Sequence, residues 1–146
     1  MKSLLLMLVL CISGSAFAQD VRVQQSIPPV VEKNFRKKFP AAKDVEWHRQ
    51  GDRVLADFDV NRVDHKALYE AKGKLLAWKY DVRSGALPAP VTRAIRTRYK
   101  GFKVDDAEMI TRGKEIFYQV ELDGQPDDLK VVFDKEGKVI ENADWW

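Results

Sequence analysis

Few residues of this chain could do chemistry. There are two histidines, His48 and His65. A metal site needs clustered ligands, and neither a His-x-x-x-His pair nor a cysteine pair occurs. His48 stands two residues after Glu46, so on a strand the two side chains share a face. Past residue 18 the serines are Ser26 and Ser84, and no Gly-x-Ser-x-Gly elbow surrounds either. Carboxylates come in close pairs: Asp57 and Asp59, Asp105 and Asp106, Asp127 and Asp128. Such pairs do acid–base work when a cleft drives one pKa upward. Asp57 and Asp59 instead alternate with apolar residues, as solvated strand positions do. The turn Asp134-Lys135-Glu136-Gly137 has too few ligands for a calcium loop and reads as a hairpin. The sequence predicts no catalytic residue, no metal and no cofactor.

The N-terminus carries the clearest functional signal. Lys2 precedes the apolar run Leu4–Ile12. Ser13-Gly14-Ser15 breaks that run, and Ala16-Phe17-Ala18 follows. A positive residue, a short apolar core and a small-x-small site together make a secretory signal peptide, cleaved between Ala18 and Gln19. The run is too short for a permanent span. Lipoprotein processing at Cys11 would want a small residue before the cysteine, and Leu10 is large. Cleavage removes Cys11, the only cysteine, so the mature chain has no disulfide. It also removes Lys2, leaving 24 Lys and Arg against 22 Asp and Glu. That near balance gives no footprint for nucleic acid. The expected location is the periplasm or the exterior.

The remainder repeats itself, and the repeat is what must position any site. Ile27-Pro28-Pro29-Val30-Val31 opens one copy and Leu87-Pro88-Ala89-Pro90-Val91 the other. Proline suits the first helical turn, where its missing N–H costs nothing. Val31, Phe35 and Phe39, and likewise Val91, Ile95 and Tyr99, recur at four-residue steps and form one apolar stripe. The other helix faces are basic, with Lys33, Arg36 and Lys37 in one copy and Arg93, Arg96 and Lys100 in the other. Pro40 and Gly101 terminate the two helices. The period then changes to two. Val54, Ala56, Phe58 and Val60 share a face, as do Ile116, Tyr118, Val120 and Leu122, at an offset of 62 residues (Val54 to Ile116). Gly51 and Gly113 keep that offset. His65–Tyr69 matches Leu129–Phe133, and each segment runs into a glycine-containing turn. Shorter runs, Val45–Arg49 and Ala107–Thr111, supply a first strand to each copy. Fourth strands begin at Leu75-Leu76 and Val139-Ile140.

The expected fold is therefore α+β, with two tandem helix-plus-four-strand repeats, antiparallel sheets and the helices packed on one face. The expected organisation is a signal peptide over 1–18, a lead-in over 19–26, and repeats over 27–82 and 87–142. The link between the repeats is short, so the two sheets should adjoin. Phe35, Phe58, Ile95 and Val120 fall in the core phase. Leu55, Leu68, Phe117 and Val132 fall one residue out of step with it, so they belong to the face opposite the helices. Asp57, Asp59, Gln119 and Glu121 would rim them. These apolar residues either form a binding patch or lie under neighbouring loops or the terminal Trp145-Trp146. His65 aligns with Leu129, a partly covered strand position.

One family shares these signatures. Leu/Ile-Pro-x-x-Val with a following Phe or Tyr, then Lys-Asp-Val-Glu-Trp, then Tyr-Glu-Ala-Lys-Gly-Lys or Phe-Asp-Lys-Glu-Gly-Lys, resembles the PepSY-like, β-lactamase-inhibitor-like exported bacterial proteins. The resemblance covers nearly all of residues 27–142. It implies tandem repeats on a curved sheet, similar to the β-lactamase inhibitory protein, whose open sheet face grips an enzyme. That inhibitor is stapled by disulfides and the mature chain here has none, so no inhibitory residue is carried over by position. Two functions remain open: a non-catalytic module binding an extracytoplasmic protein through the open sheet face, and a carrier or sensor of a small hydrophobic ligand.

Overall fold

The computed structural model describes residues 26–141; the expected signal peptide, its expected Ala18–Gln19 cleavage site and Trp145-Trp146 lie outside them. Helix α1 spans Pro29–Lys38. Four strands follow: β1 Lys43–Gln50, β2 Arg53–Val60, β3 Val63–Glu70 and β4 Leu75–Asp81. A short 3₁₀ turn, Ser84–Ala86, leads to α2 Ala89–Arg98. Then come β5 Lys103–Arg112, β6 Glu115–Asp123 and β7 Leu129–Asp134. Prolines open both helices: Pro28 caps α1 and Pro88 caps α2, and each helix has proline in its first two positions. Without a side-chain cap, helix stability must come from packing of the apolar stripe.

The two sheets do more than adjoin. They are one seven-stranded antiparallel sheet in the order β1-β2-β3-β4-β5-β6-β7. β4 joins the halves by pairing with β5 from Trp78↔Thr111 to Asp81↔Glu108. The eighth strand expected at Val139-Ile140 does not form among the described residues. Val139 makes a single bridge to Phe133, and the Ile140 N–H donates to the Val132 carbonyl at 2.8 Å. β4 is held on both sides, by β3 and β5.

Both helices cover the same face. Val31, Phe35 and Phe39 of the α1 stripe pack on Val54, Ala56 and Phe58 of β2 and Ala67 and Tyr69 of β3. Val91 and Ile95 pack on Ala107, Val120, Leu122, Val131 and Phe133. Phe35, Phe58, Ile95 and Val120 are all buried, as the phase predicts. The Phe35 ring centroid lies 5.0 Å from Trp47 and 4.8 Å from Phe58, both edge-on. Burying a side chain of this size contributes roughly 1.5–3 kcal/mol. Ile116 departs from expectation: at the turn end of β6, outside the α2 cluster, it is 38% exposed.

The turns lock onto the helices. Asn34 Nδ2 donates to the Gly73 carbonyl at 2.8 Å. At Gly137, φ is +82° and a Cβ would sit 2.5 Å from the Pro90 carbonyl oxygen, so only glycine fits.

Candidate functional site

Strand pairing sets what meets on the helix-free face, because directly opposed residues point the same way. One row runs Leu55, Leu68, Ala77. The next runs Asp57, Lys66, Lys79, Ile110, Phe117. A third ends Asp81, Glu108, Gln119, Val132. Leu55, Leu68, Phe117 and Val132 thus all lie on this face. They are not equally open: Leu55 and Phe117 are half-buried, whereas Leu68 and Val132 are buried. Apolar residues thus run from β2 to β7, separated by polar groups.

Those polar groups include a network that local sequence does not announce. Lys79 Nζ lies 2.9 Å from Glu108 Oε1 and donates to Glu108 Oε2 at 3.0 Å. Gln119 Nε2 donates to the same Oε2 at 2.6 Å. The Lys79 and Glu108 side chains are only 7% and 14% exposed. A buried charge persists only when paired and hydrogen-bonded, and here Lys79 and Gln119 both hold Glu108. Gln119, expected at the rim, is instead buried inside this network, because its β6 position brings it opposite Glu108 on β5. The available signal was phase: Trp78 and Tyr80 take the helix side, which leaves Ala77 and Lys79 on the other. The partner, 29 residues away, could not be read from periodicity.

Toward β1 the face becomes acidic. Asp44, Glu46, Asp57, Asp59, Asp64 and Asp81 surround a depression of about 350 Å³ with Lys66 among them. Lys66 donates to Asp57, and that hydrogen bond holds the lysine above its ordinary pKa. Asp59 is pushed up chiefly by its hydrogen bond with Asp64, and Asp81 chiefly by burial, with Asp106 next. Near the β7 edge, Lys130 pairs with Glu121 at 2.7 Å. Among the described residues no group of three or more His, Cys, Asp or Glu side chains could hold a metal ion.

The histidines have separate settings. His48 is exposed, 3.9 Å from Glu46 on the shared face. His65 lies on the helix side, stacked at 5.3 Å from Phe58 and 5.0 Å from Tyr80. Its Nδ1 is buried without a hydrogen-bond partner among the described residues, and burial holds its pKa below the usual value. On the same side an apolar cleft of about 300 Å³ lies between α1 and β1, lined by Phe35, Phe39, Val45 and Trp47 among others.

Two helices on one face of a long antiparallel meander, with no helix on the other, make a two-layer α+β arrangement. Solved structures share it. A DUF2874 family protein from Bacteroides uniformis superposes with a TM-score of 0.72 at 22% identity, covering 78% of this chain and 86% of that one. A BLIP-like protein from Bacteroides fragilis gives 0.69 at 20% identity, covering 80% and 86%. A Bacteroides eggerthii protein described as "putative periplasmic" gives 0.72 at 18% identity, covering 80% and 87%. No curated protein matches the chain. A family model described as "Putative beta-lactamase-inhibitor-like, PepSY-like" matches residues 69–141, half of the sequence, and the chain belongs to that family. No helix among the described residues is long and apolar enough to cross a membrane.

Proposed function

We propose that the protein is a non-catalytic, extracytoplasmic binding module that holds a protein partner through the helix-free sheet face. The observation that carries this reading is the set of apolar side chains Leu55, Leu68, Phe117 and Val132 spread over the sheet face opposite both helices, Leu55 and Phe117 being the more open of them. Apolar residues framed by charge are the composition of an interface core and rim. Here the frame comprises Asp57, Asp59, Glu121 and Lys130. The family relation to β-lactamase-inhibitor-like proteins supports an enzyme as the partner. The signal peptide at residues 1–18 supports an encounter outside the cytoplasm.

The test is capture from a periplasmic extract by the mature protein and by Leu55→Asp and Phe117→Asp variants. Variants that keep the wild-type circular dichroism should lose the captured protein. Retention of the same protein by both folded variants overturns the reading and moves the interface elsewhere, most naturally to the basic helices. The apolar cleft between α1 and β1 favours a second reading, carriage of a small hydrophobic ligand. Native mass spectrometry of protein from its own host would then find a co-purifying small molecule that Val45→Arg abolishes.

A further inference from the structure

The outer strand of an antiparallel sheet keeps a row of backbone N–H and C=O groups free for pairing. β1 is such a strand, with β2 on one side and no described strand on the other. The two-residue turn Gly51-Asp52 makes Gln50 and Arg53 the closing pair of the β1–β2 hairpin. Counting back by twos, Arg49 and Trp47 direct their N–H and C=O groups outward. The bulge between Lys43 and Glu46 confines this regular edge to Glu46–Gln50.

The second half of the chain has a strand seated in the equivalent place. Gly113 follows Gly51 by 62 residues, and on that offset β5 is the counterpart of β1, with Met109 standing for Trp47 and Thr111 for Arg49. β5 is not an edge: β4 lies antiparallel against it, pairing Tyr80↔Met109 and Trp78↔Thr111. Both aromatic side chains take the helix side, where their rings stack at 5.3 Å. Against β1 no described strand takes that place. Beside it lies the cleft of about 300 Å³, lined by Phe35, Arg36, Phe39, Val45 and Trp47 among others. Val45 and Trp47 are two residues apart and half-buried against the α1 cluster. Alternate side chains of an adjoining strand, roughly 6.8 Å apart, match that spacing. Arg36 is exposed at the rim, with Lys33 and Lys37 exposed on the same helix. Among the described residues none of these three cations forms an ion pair.

We propose that the β1 edge and this cleft make one site for an extended peptide segment of another protein, added antiparallel to β1 as β4 is to β5. Alternate residues of the peptide are apolar, aromatic by the precedent of Trp78 and Tyr80, and enter the cleft. An acidic residue of the peptide meets Arg36. Backbone pairing supplies affinity, and the cleft with its cation supplies selection. The site is separate from the helix-free face and does not rest on the function proposed for it.

The probe is a fluorescein-labelled peptide, Glu-Ala-Trp-Thr-Tyr-Asp-Val, patterned on Leu76–Val82 and titrated into the full mature chain by fluorescence anisotropy. It should bind saturably. N-methylation of its Trp and Tyr amides removes the donors aimed at β1 and should weaken binding about tenfold or more. Val45→Arg should weaken it similarly by obstructing the cleft. Arg36→Glu should weaken it about tenfold, and a peptide with lysine in place of both acids should recover the loss. Leu55→Asp and Phe117→Asp should leave binding unchanged, and its loss in those folded variants would move the site to the helix-free face. Absence of saturable binding at millimolar peptide overturns the proposal. Binding indifferent to N-methylation also overturns it and leaves the cleft to small apolar ligands. Self-association of the chain that the probe disrupts assigns the edge to a second copy. Binding confined to a chain starting at Ile27 assigns it to the chain's own lead-in, and either result overturns the proposal.

Discussion

Replacing Lys79 by methionine should destabilise the protein by about 3 kcal/mol, because it leaves Glu108 a buried charge held only by Gln119. Loss of one partner from a buried pair typically costs roughly 3–5 kcal/mol. The lower end applies because the Glu108 side chain is 14% exposed and keeps its 2.6 Å hydrogen bond from Gln119. Glu108→Leu should cost about 4 kcal/mol, since it takes the buried carboxylate away from the Lys79 ammonium and strands the Gln119 amide, the latter alone worth about 1–3 kcal/mol. The double variant strands only the amide and gains apolar contact with Ile110 nearby, for a net loss of about 2 kcal/mol. It should therefore be more stable than either single variant. Urea titrations with a shared m value measure all three. If the single losses simply add, the two residues do not act as a pair and the network is only an arrangement of neighbours.

Acid should weaken the fold through His65. Burial lowers its folded pKa below the unfolded value near 6.5, so the unfolded chain binds the proton first; stability is full above about pH 6.5 and falls as pH drops toward the lowered value. His65→Phe should flatten the pH 5–7.5 dependence of the urea midpoint, and an unchanged slope refutes the assignment. Gly137→Ala should cost well over about 1–2 kcal/mol, since the Cβ meets the Pro90 carbonyl on top of the φ strain. Gly51→Ala, with positive φ but open space around it, should cost about 1 kcal/mol; equal losses in thermal melts would show that the Pro90 contact is irrelevant. Exported protein should begin at Gln19 with no lipid, as intact mass will report, and a diacylglyceryl mass on Cys11 would contradict it.

Alternation carries enough information to set side-chain phase, which is why β2 falls at Arg53–Val60 as read and the core residues face the helices. What periodicity cannot carry is pairing between distant strands. Lys79 and Glu108 each look like an ordinary strand charge; only the β4–β5 register makes them a buried pair. The same register removes Gln119 from the rim. Val139-Ile140 has the composition of a strand, yet among the described residues it makes only a single bridge to Phe133 and one hydrogen bond to Val132. His65 was legible as partly covered, though its stack with Phe58 and Tyr80 depends on three strands meeting.

The β4–β5 seam also bears on how the molecule assembles. Only the stretch Trp78–Asp81 of β4 pairs across it, a shorter ladder than the full-length pairing of β2 with β3 or β5 with β6. Each half has its own hydrophobic cluster, so each can form early from local hairpins and then dock. Docking two sheet edges carries a hazard of slippage, and a slip of one residue sends every side chain to the wrong face. The Lys79–Glu108 pair straddles that seam. In a slipped sheet this buried ion pair would be broken, so the pair acts as a register pin: a mis-docked fold is penalised far more than the correct fold is rewarded.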